Sequence, residues 1–152
     1  MLGQLTGEQI EHVLRSQITG RIGCCAGDDM YVVPVTYVYH QGHIYAHSKE
    51  GRKIQIMRRN PKVCFQVDAV ENMTNWRSVI VWGDYEELKS EKEQSAGVKI
   101  IVDRLMPFVT SETVRPSDAL SHPPEVIQKG LKAVVYRIKV TKSTGRFEKP
   151  NL

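Results

Sequence analysis

The chain has 152 residues, the size of one ordinary domain, and 41% of them are hydrophobic, which excludes a disordered or fibrous polymer. No unbroken apolar run is longer than Val79 to Trp82, far short of the ~20 residues a membrane-spanning helix needs. The 21 Lys+Arg and 17 Asp+Glu leave a net charge of only +4 with both signs interspersed, which argues against a nucleic-acid module with one basic face.

The first element is predicted to be a short helix. Thr6-x-x-Gln9 has capping-box spacing, Ile10, Val13 and Leu14 share one face, and the pattern stops near Ser16. From Thr19 the text turns to strand: residues 19–25, a Gly27-Asp28-Asp29 turn, residues 30–40, a Gln41-Gly42 turn, and residues 43–47. These three runs are expected to form an antiparallel meander. Pro34 cannot donate a ladder hydrogen bond, so its strand must have an edge, a bulge or a ligand at that point.

Gly51 opens a short helix predicted over 52–60, with Ile54 and Met57 inward and Asn60-Pro61 as its stop. A fourth strand is read over 62–69, a polar link over 71–75, and a long apolar fifth strand over 76–85. Ser90-x-x-Glu93 then starts a helix whose inner side carries Val98, Ile101, Val102, Leu105 and Met106, closed by Pro107. A loop is expected over 108–124, a short helix towards Gly130, and a sixth strand over 133–141. Six mostly antiparallel strands with inserted helices predict a mainly β fold with flanking helices. A small six-stranded closed or split β-barrel, one domain over 1–152, explains them better than a doubly wound sheet, because closure removes the edges.

The N-terminus carries no basic segment followed by an apolar core, and three cysteines, two of them adjacent at Cys24-Cys25, suit a reducing compartment, so a cytoplasmic protein is expected. The cysteines read as small buried or half-buried residues. His12, His40, His43 and His122 show no ligand spacing, so no metal site is expected, and no Gly-x-Ser-x-Gly or paired carboxylates suggest hydrolysis.

The most informative stretch runs from Tyr45 through His47, Ser48 and Gly51 to Arg52-Lys53: a strand end, a polar turn with glycine, and a helix start bearing adjacent cations. Exposed amides at a helix start, a serine hydroxyl and two cations can hold a terminal phosphate. The same residues can also be a solvated turn with surface lysines. With Arg58-Arg59 following on the same short segment, a small anion fits the cluster better than a polymer.

Five segments together, Val33-Pro34-Val35-Thr36-Tyr37, Gly42-His43-Ile44-Tyr45, His47-Ser48 through Gly51-Arg52-Lys53, Arg59-Asn60-Pro61-Lys62-Val63-Cys64-Phe65, and Trp76-Arg77-Ser78-Val79 with Gly83, resemble the flavin-nucleotide-binding split barrels. This is the pyridoxamine 5'-phosphate oxidase-like superfamily, and the sequence is most similar to its nitroimidazole-resistance-type branch, over residues 5–145. The resemblance implies FMN at a homodimer interface. Ser48, Arg52 and Lys53 would hold the phosphate, Val33, Pro34, Val35 and Thr36 would line the isoalloxazine, and His47 would stand beside the flavin as the catalytic residue. Trp76, Arg77 and Ser78 would add ring and ribityl contacts, often across the dimer. The ending Thr144-Gly145-Arg146-Phe147 lacks the Arg-x-His-type substrate signature of a true pyridoxamine phosphate oxidase.

The expected function is that of an FMN-dependent oxidoreductase acting on a small aromatic or nitro-heteroaromatic acceptor, with NAD(P)H as a possible reductant but no Rossmann motif to bind it separately. Two rivals stand beside it: a non-catalytic flavin carrier or a haem binder with His47, His40 or Cys64 as axial ligand, and, last, a nucleic-acid module.

Overall fold

A computed structural model describes residues 1–108 and 133–151. Most of the loop predicted over 108–124, and the short helix predicted towards Gly130, lie outside the described residues. In chain order the elements are β1 (Leu2–Gln4), α1 (Gly7–Ser16), β2 (Thr19–Ala26), β3 (Asp29–Thr36), β4 (Val38–His40), β5 (His43–Lys49), α2 (Arg52–Arg59), β6 (Lys62–Asn72), β7 (Asn75–Glu87), α3 (Glu91–Leu105), a 3-10 turn (Met106–Phe108) and β8 (Ala133–Glu148).

Local chemistry accounts for most boundaries. The capping box of α1 is closed in both directions: Thr6 N–H donates to Gln9 Oε1 at 2.8 Å and Gln9 N–H to Thr6 Oγ1 at 3.3 Å. Ser90 Oγ accepts from Glu93 N–H at 3.1 Å and starts α3. Gln41 and Gly42 both have positive φ, 46° and 75°, the backbone a two-residue turn needs when its twist must match the strands it joins.

The barrel is mainly antiparallel β with flanking helices, as expected, but it has eight strands rather than six. The run predicted over 30–40 is two strands, interrupted at Tyr37. Tyr37 leaves the ladder because its N–H donates to Ile18 O at 3.0 Å and its hydroxyl to Leu14 O at 2.7 Å. Its ring is fully buried, edge-on to Phe65 at 5.0 Å. β3 and β4 are therefore one residue apart in the chain, yet they occupy opposite ends of the order β3-β2-β6-β7-β8-β5-β4. That is possible only if the sheet curls until its two ends approach. The expected three-stranded meander is thereby corrected: β3 pairs with β2, and β4 with β5.

The last strand continues past the predicted stop at Thr141 to Glu148, because it serves β5 with its first half, β7 along most of its length, and the unforeseen β1 at its end. β7 and β8 change register between Trp82 and Gly83, where the glycine backbone lies against the Lys139 carbonyl. Pro34 sits on β3, the strand at one end of the order, where its missing N–H costs no ladder bond on the open side.

The barrel interior is filled by Ile22, Phe65, Val67, Val79, Val81 and Ile138 among others, and a second cluster packs Val98, Ile101 and Leu105 of α3 on Tyr45, Leu88 and Val135. Met106, expected inside, is 46% exposed because the 3-10 turn around Pro107 rotates it off the inner stripe of α3. Among the described residues no helix is long and apolar enough to cross a membrane.

Candidate functional site

β5 delivers His47 and Ser48 to the end of the sheet, where they pair with Val135 and Val134 of β8. The chain then turns through Glu50-Gly51 into α2, which anchors itself by burying Ile54, Ile56 and Met57. Arg58 locks this turn. Its guanidinium donates to both Glu50 oxygens, at 3.0 and 2.7 Å, and to Glu87 at 2.8 and 3.1 Å, while Tyr85 OH donates to the same Glu87 at 2.7 Å. Arg58 belongs to the cation cluster of the sequence, but its charge is neutralised within the protein by Glu50 and Glu87.

The start of α2 is uncapped and basic. Its first turn has no side-chain cap, no acidic residue, and two cations, Arg52 and Lys53. Cations at a helix N-terminus oppose the helix dipole, and the open N–H groups there need acceptors; an anion answers both conditions. Ser48, near the end of β5, precedes this turn, and its Oγ donates to Lys49 O at 2.8 Å.

The two cations differ. Arg52 is exposed and bound to Asp29, with its guanidinium 5.5 Å from the centre of the Tyr31 ring. Lys53 is half-buried, and no carboxylate among the described residues forms an ion pair with it. Burial pushes the Lys53 ammonium pKa down, while the neighbouring Cys24 thiol pulls it slightly the other way. His47 is also half-buried; burial first, and the Lys53 ammonium second, hold its pKa below 6.5, so the imidazole is neutral at pH 7.

β3 leads away from this cradle. Asp29 and Tyr31 lie beside α2, and Val33, Pro34, Val35 and Thr36 follow along the same strand, whose open edge faces away from β2. Val33 and Val35 are half-buried on the inward side, whereas Pro34 and Thr36 are exposed on the outward face. From Asp29 to Pro34 is about 17 Å of extended chain, enough for an elongated ligand with an anion at one end and a flat ring at the other.

Trp76, Arg77 and Ser78 are on β7, separated from β3 by β2 and β6, and within one chain they do not join the His47–Lys53 cluster. Trp76 Nε1 donates to Glu148 at 3.0 Å. Ser78 Oγ accepts from Gln66, which also donates to Asp68, and Asp68 meets Arg21 at 3.3 Å, so a polar row crosses β7, β6 and β2 and ends beside Pro34 of β3. By strand alternation Arg77 lies on the opposite face from Trp76 and Ser78, lining a small pocket with Leu5, Gln9 and Phe147.

The sequence reading missed Asp29 and Tyr31 as partners of Arg52, and it missed a shallow apolar groove of about 430 Å³ on the outward face of the sheet. Gly23 and Cys64 form its floor and Met30, Val32 and Trp82 its walls. Met30 and Val32 are 77% and 73% exposed, and Ile80 and Trp82 39% and 36%. The signal was present as apolar residues at alternate positions of β3 on the side opposite the core. All three cysteines are free thiols, Cys24 buried and Cys25 and Cys64 half-buried, as expected. Among the described residues no cluster of His, Cys, Asp or Glu could hold a metal.

A family model described as Pyridoxamine 5'-phosphate oxidase matches residues 6–147. An uncharacterized protein of Rhizobium meliloti (strain 1021) is 37% identical over 84 residues, which cover 55% of this chain and 56% of that relative's length. The crystal structure of a FAD-binding protein from Mesorhizobium loti superimposes with a TM-score of 0.78 at 30% identity, covering 98% of this chain and 99% of that one. A candidate 5-nitroimidazole antibiotic resistance protein from Bacteroides thetaiotaomicron does so with a TM-score of 0.73 at 20% identity, covering 97% and 87%, a likeness of fold.

Proposed function

The chain belongs to the pyridoxamine 5'-phosphate oxidase family, and from that premise we propose that it is an FMN-dependent oxidoreductase reducing a small aromatic or nitro-heteroaromatic acceptor. One observation carries the reading: an uncapped, cation-bearing helix start, with the half-buried Lys53 beside it, opens onto a strand whose free edge runs away from it. The α2 amides, Ser48 and Lys53, with Arg52 at the rim, hold the terminal phosphate. The β3 edge from Val33 to Thr36 receives the ring, with Pro34 exposing no N–H there. Bound flavin supplies hydride chemistry, so the protein's own contribution is to bind, orient and exclude water. His47, neutral at pH 7, offers a hydrogen bond to the substrate without placing a positive charge beside the ring.

The functional unit in this reading is a homodimer. The outward face carries Met30, Val32, Ile80 and Trp82, an apolar patch of the kind that marks an interface, and a second copy seated on it would bring its own Trp76 and Ser78 to the first copy's β3. NAD(P)H is the external reductant, and three free thiols suit a cytoplasmic setting. The absorption spectrum and the mass of cofactor released from protein purified without added ligand test the assignment. Flavin bands and the mass of FMN are expected. A Soret band, or a colourless protein that takes up no flavin on reconstitution, removes it.

A further inference from the structure

The β2–β3 turn places a carboxylate at the mouth of the phosphate cradle. Ala26 pairs with Asp29 across the two-residue turn Gly27-Asp28, in which Gly27 takes φ +60°, and this projects Asp29 towards the start of α2. Asn60 Nδ2 donates to Cys25 O at 2.7 Å at the far end of the helix, so α2 and the hairpin are clamped together at both ends. Arg52 Nη2 donates to Asp29 Oδ1, and its guanidinium also lies over the Tyr31 ring. A carboxylate oxygen accepts from a guanidinium as a phosphate oxygen does, so Asp29 Oδ1 occupies on Arg52 one of the donors, Nη2, that a ligand phosphate would use. Its charge also repels any anion brought to the neighbouring Lys53.

We propose, resting on the flavin reading above, that Asp29 is a specificity-determining residue of this site, an internal anion that competes with the ligand phosphate for Arg52. The opposition is strongest against the terminal phosphate dianion of FMN. It is weaker against FAD, whose diester phosphates carry one charge each, and absent for riboflavin. Asp29 thus narrows the preference for FMN over other flavins, and Arg52 is a shared rather than a dedicated phosphate ligand.

The test titrates flavin-free wild type, Asp29→Asn, Arg52→Ala and the double variant with FMN, FAD and riboflavin, read by quenching of flavin fluorescence. Asp29→Asn is expected to tighten FMN about tenfold, FAD less, and riboflavin by no more than about twofold, and the gain should shrink in the Arg52→Ala background to the part that comes from relieved repulsion at Lys53. A wild type that binds FMN and riboflavin equally overturns the phosphate cradle, and this proposal with it. A wild type that prefers FMN, with a ratio that Asp29→Asn leaves unchanged or lowers, overturns the role of Asp29 alone. If Asp29→Asn does not fold, Asp29→Ser is titrated under the same criteria.

Discussion

Lys53 and His47 are electrostatically coupled: the ammonium reinforces burial in holding the imidazole neutral. The two groups meet because β5 carries one and the first turn of α2 the other, and burial alone already lowers the pKa of each. A His47 pKa depressed in the folded chain means that the unfolded chain binds more protons just below pH 6.5. The stability His47 contributes is therefore fully present above about 6.5 and is lost as pH falls through its folded pKa. Titration of the His47 ring by NMR should give a midpoint below 6.5 in wild type and a higher one in Lys53→Met, short of full recovery because burial remains. A Lys53→Met midpoint equal to wild type would show that Lys53 lies too far away to matter.

Phosphate placed between these groups must act in the opposite direction. An anion beside the imidazole favours its protonated form, so adding FMN should raise the His47 pKa, whereas riboflavin should raise it much less. The same NMR titration reads this without any turnover. An identical shift with both ligands would move the phosphate away from α2.

Replacing His47 by Ala separates a catalytic from a structural role. If the neutral imidazole donates to the acceptor, flavin content stays near wild type while reoxidation of the reduced protein by a nitroaromatic or quinone slows. If it only supports the strand end, melting temperature and flavin content fall together and the rate per bound flavin is unchanged. Stopped-flow kinetics normalised to flavin content distinguishes the two outcomes.

The outward apolar face gives a direct test of assembly. Ile80→Glu with Trp82→Glu puts two carboxylates where Ile80 and Trp82 stand half-open to solvent, while the barrel interior keeps Val79 and Val81. Light scattering should report a dimer for wild type and a monomer for the variant, and flavin retention should fall with dimer content if the site is shared. A wild-type monomer at micromolar concentration would defeat the shared-site arrangement.

Gly83 is a stability prediction independent of any ligand. A methyl group there would collide with the backbone carbonyl of Lys139 at the point where β7 and β8 change register. The obstacle is main chain and cannot rotate away, so Gly83→Ala should cost about 1–3 kcal/mol, near the upper end. Urea denaturation measures it, and an unaffected midpoint would argue against the register shift.

The capping box of Thr6, the N-cap of Ser90, the two-residue turns at Gly27 and Gln41-Gly42, and the burial of Ile54 and Met57 were all legible in the sequence. Each depends on residues within a few positions of one another, where periodicity and turn chemistry act directly. The split of the 30–40 run was not legible. A fully buried tyrosine with a distant hydrogen-bond acceptor overrides a local β pattern that runs straight through it. The strand count failed for the same reason, since β1 exists only because the far end of β8 offers it an edge.

By itself the sequence determined that this is a mainly β chain with a cation-rich strand-to-helix turn, and that this turn resembles a flavin phosphate site. Only the tertiary structure decided what each cation does. Arg52 meets Asp29 across 23 residues of chain and Arg58 meets Glu87 across 29, while Lys53 is left half-buried against Cys24 and His47. Spacing along a chain reports what can share a helix face or a turn. Which opposite charges neutralise one another depends on how the barrel closes, and that is set by the packing of residues distant in sequence around Tyr37 and Phe65.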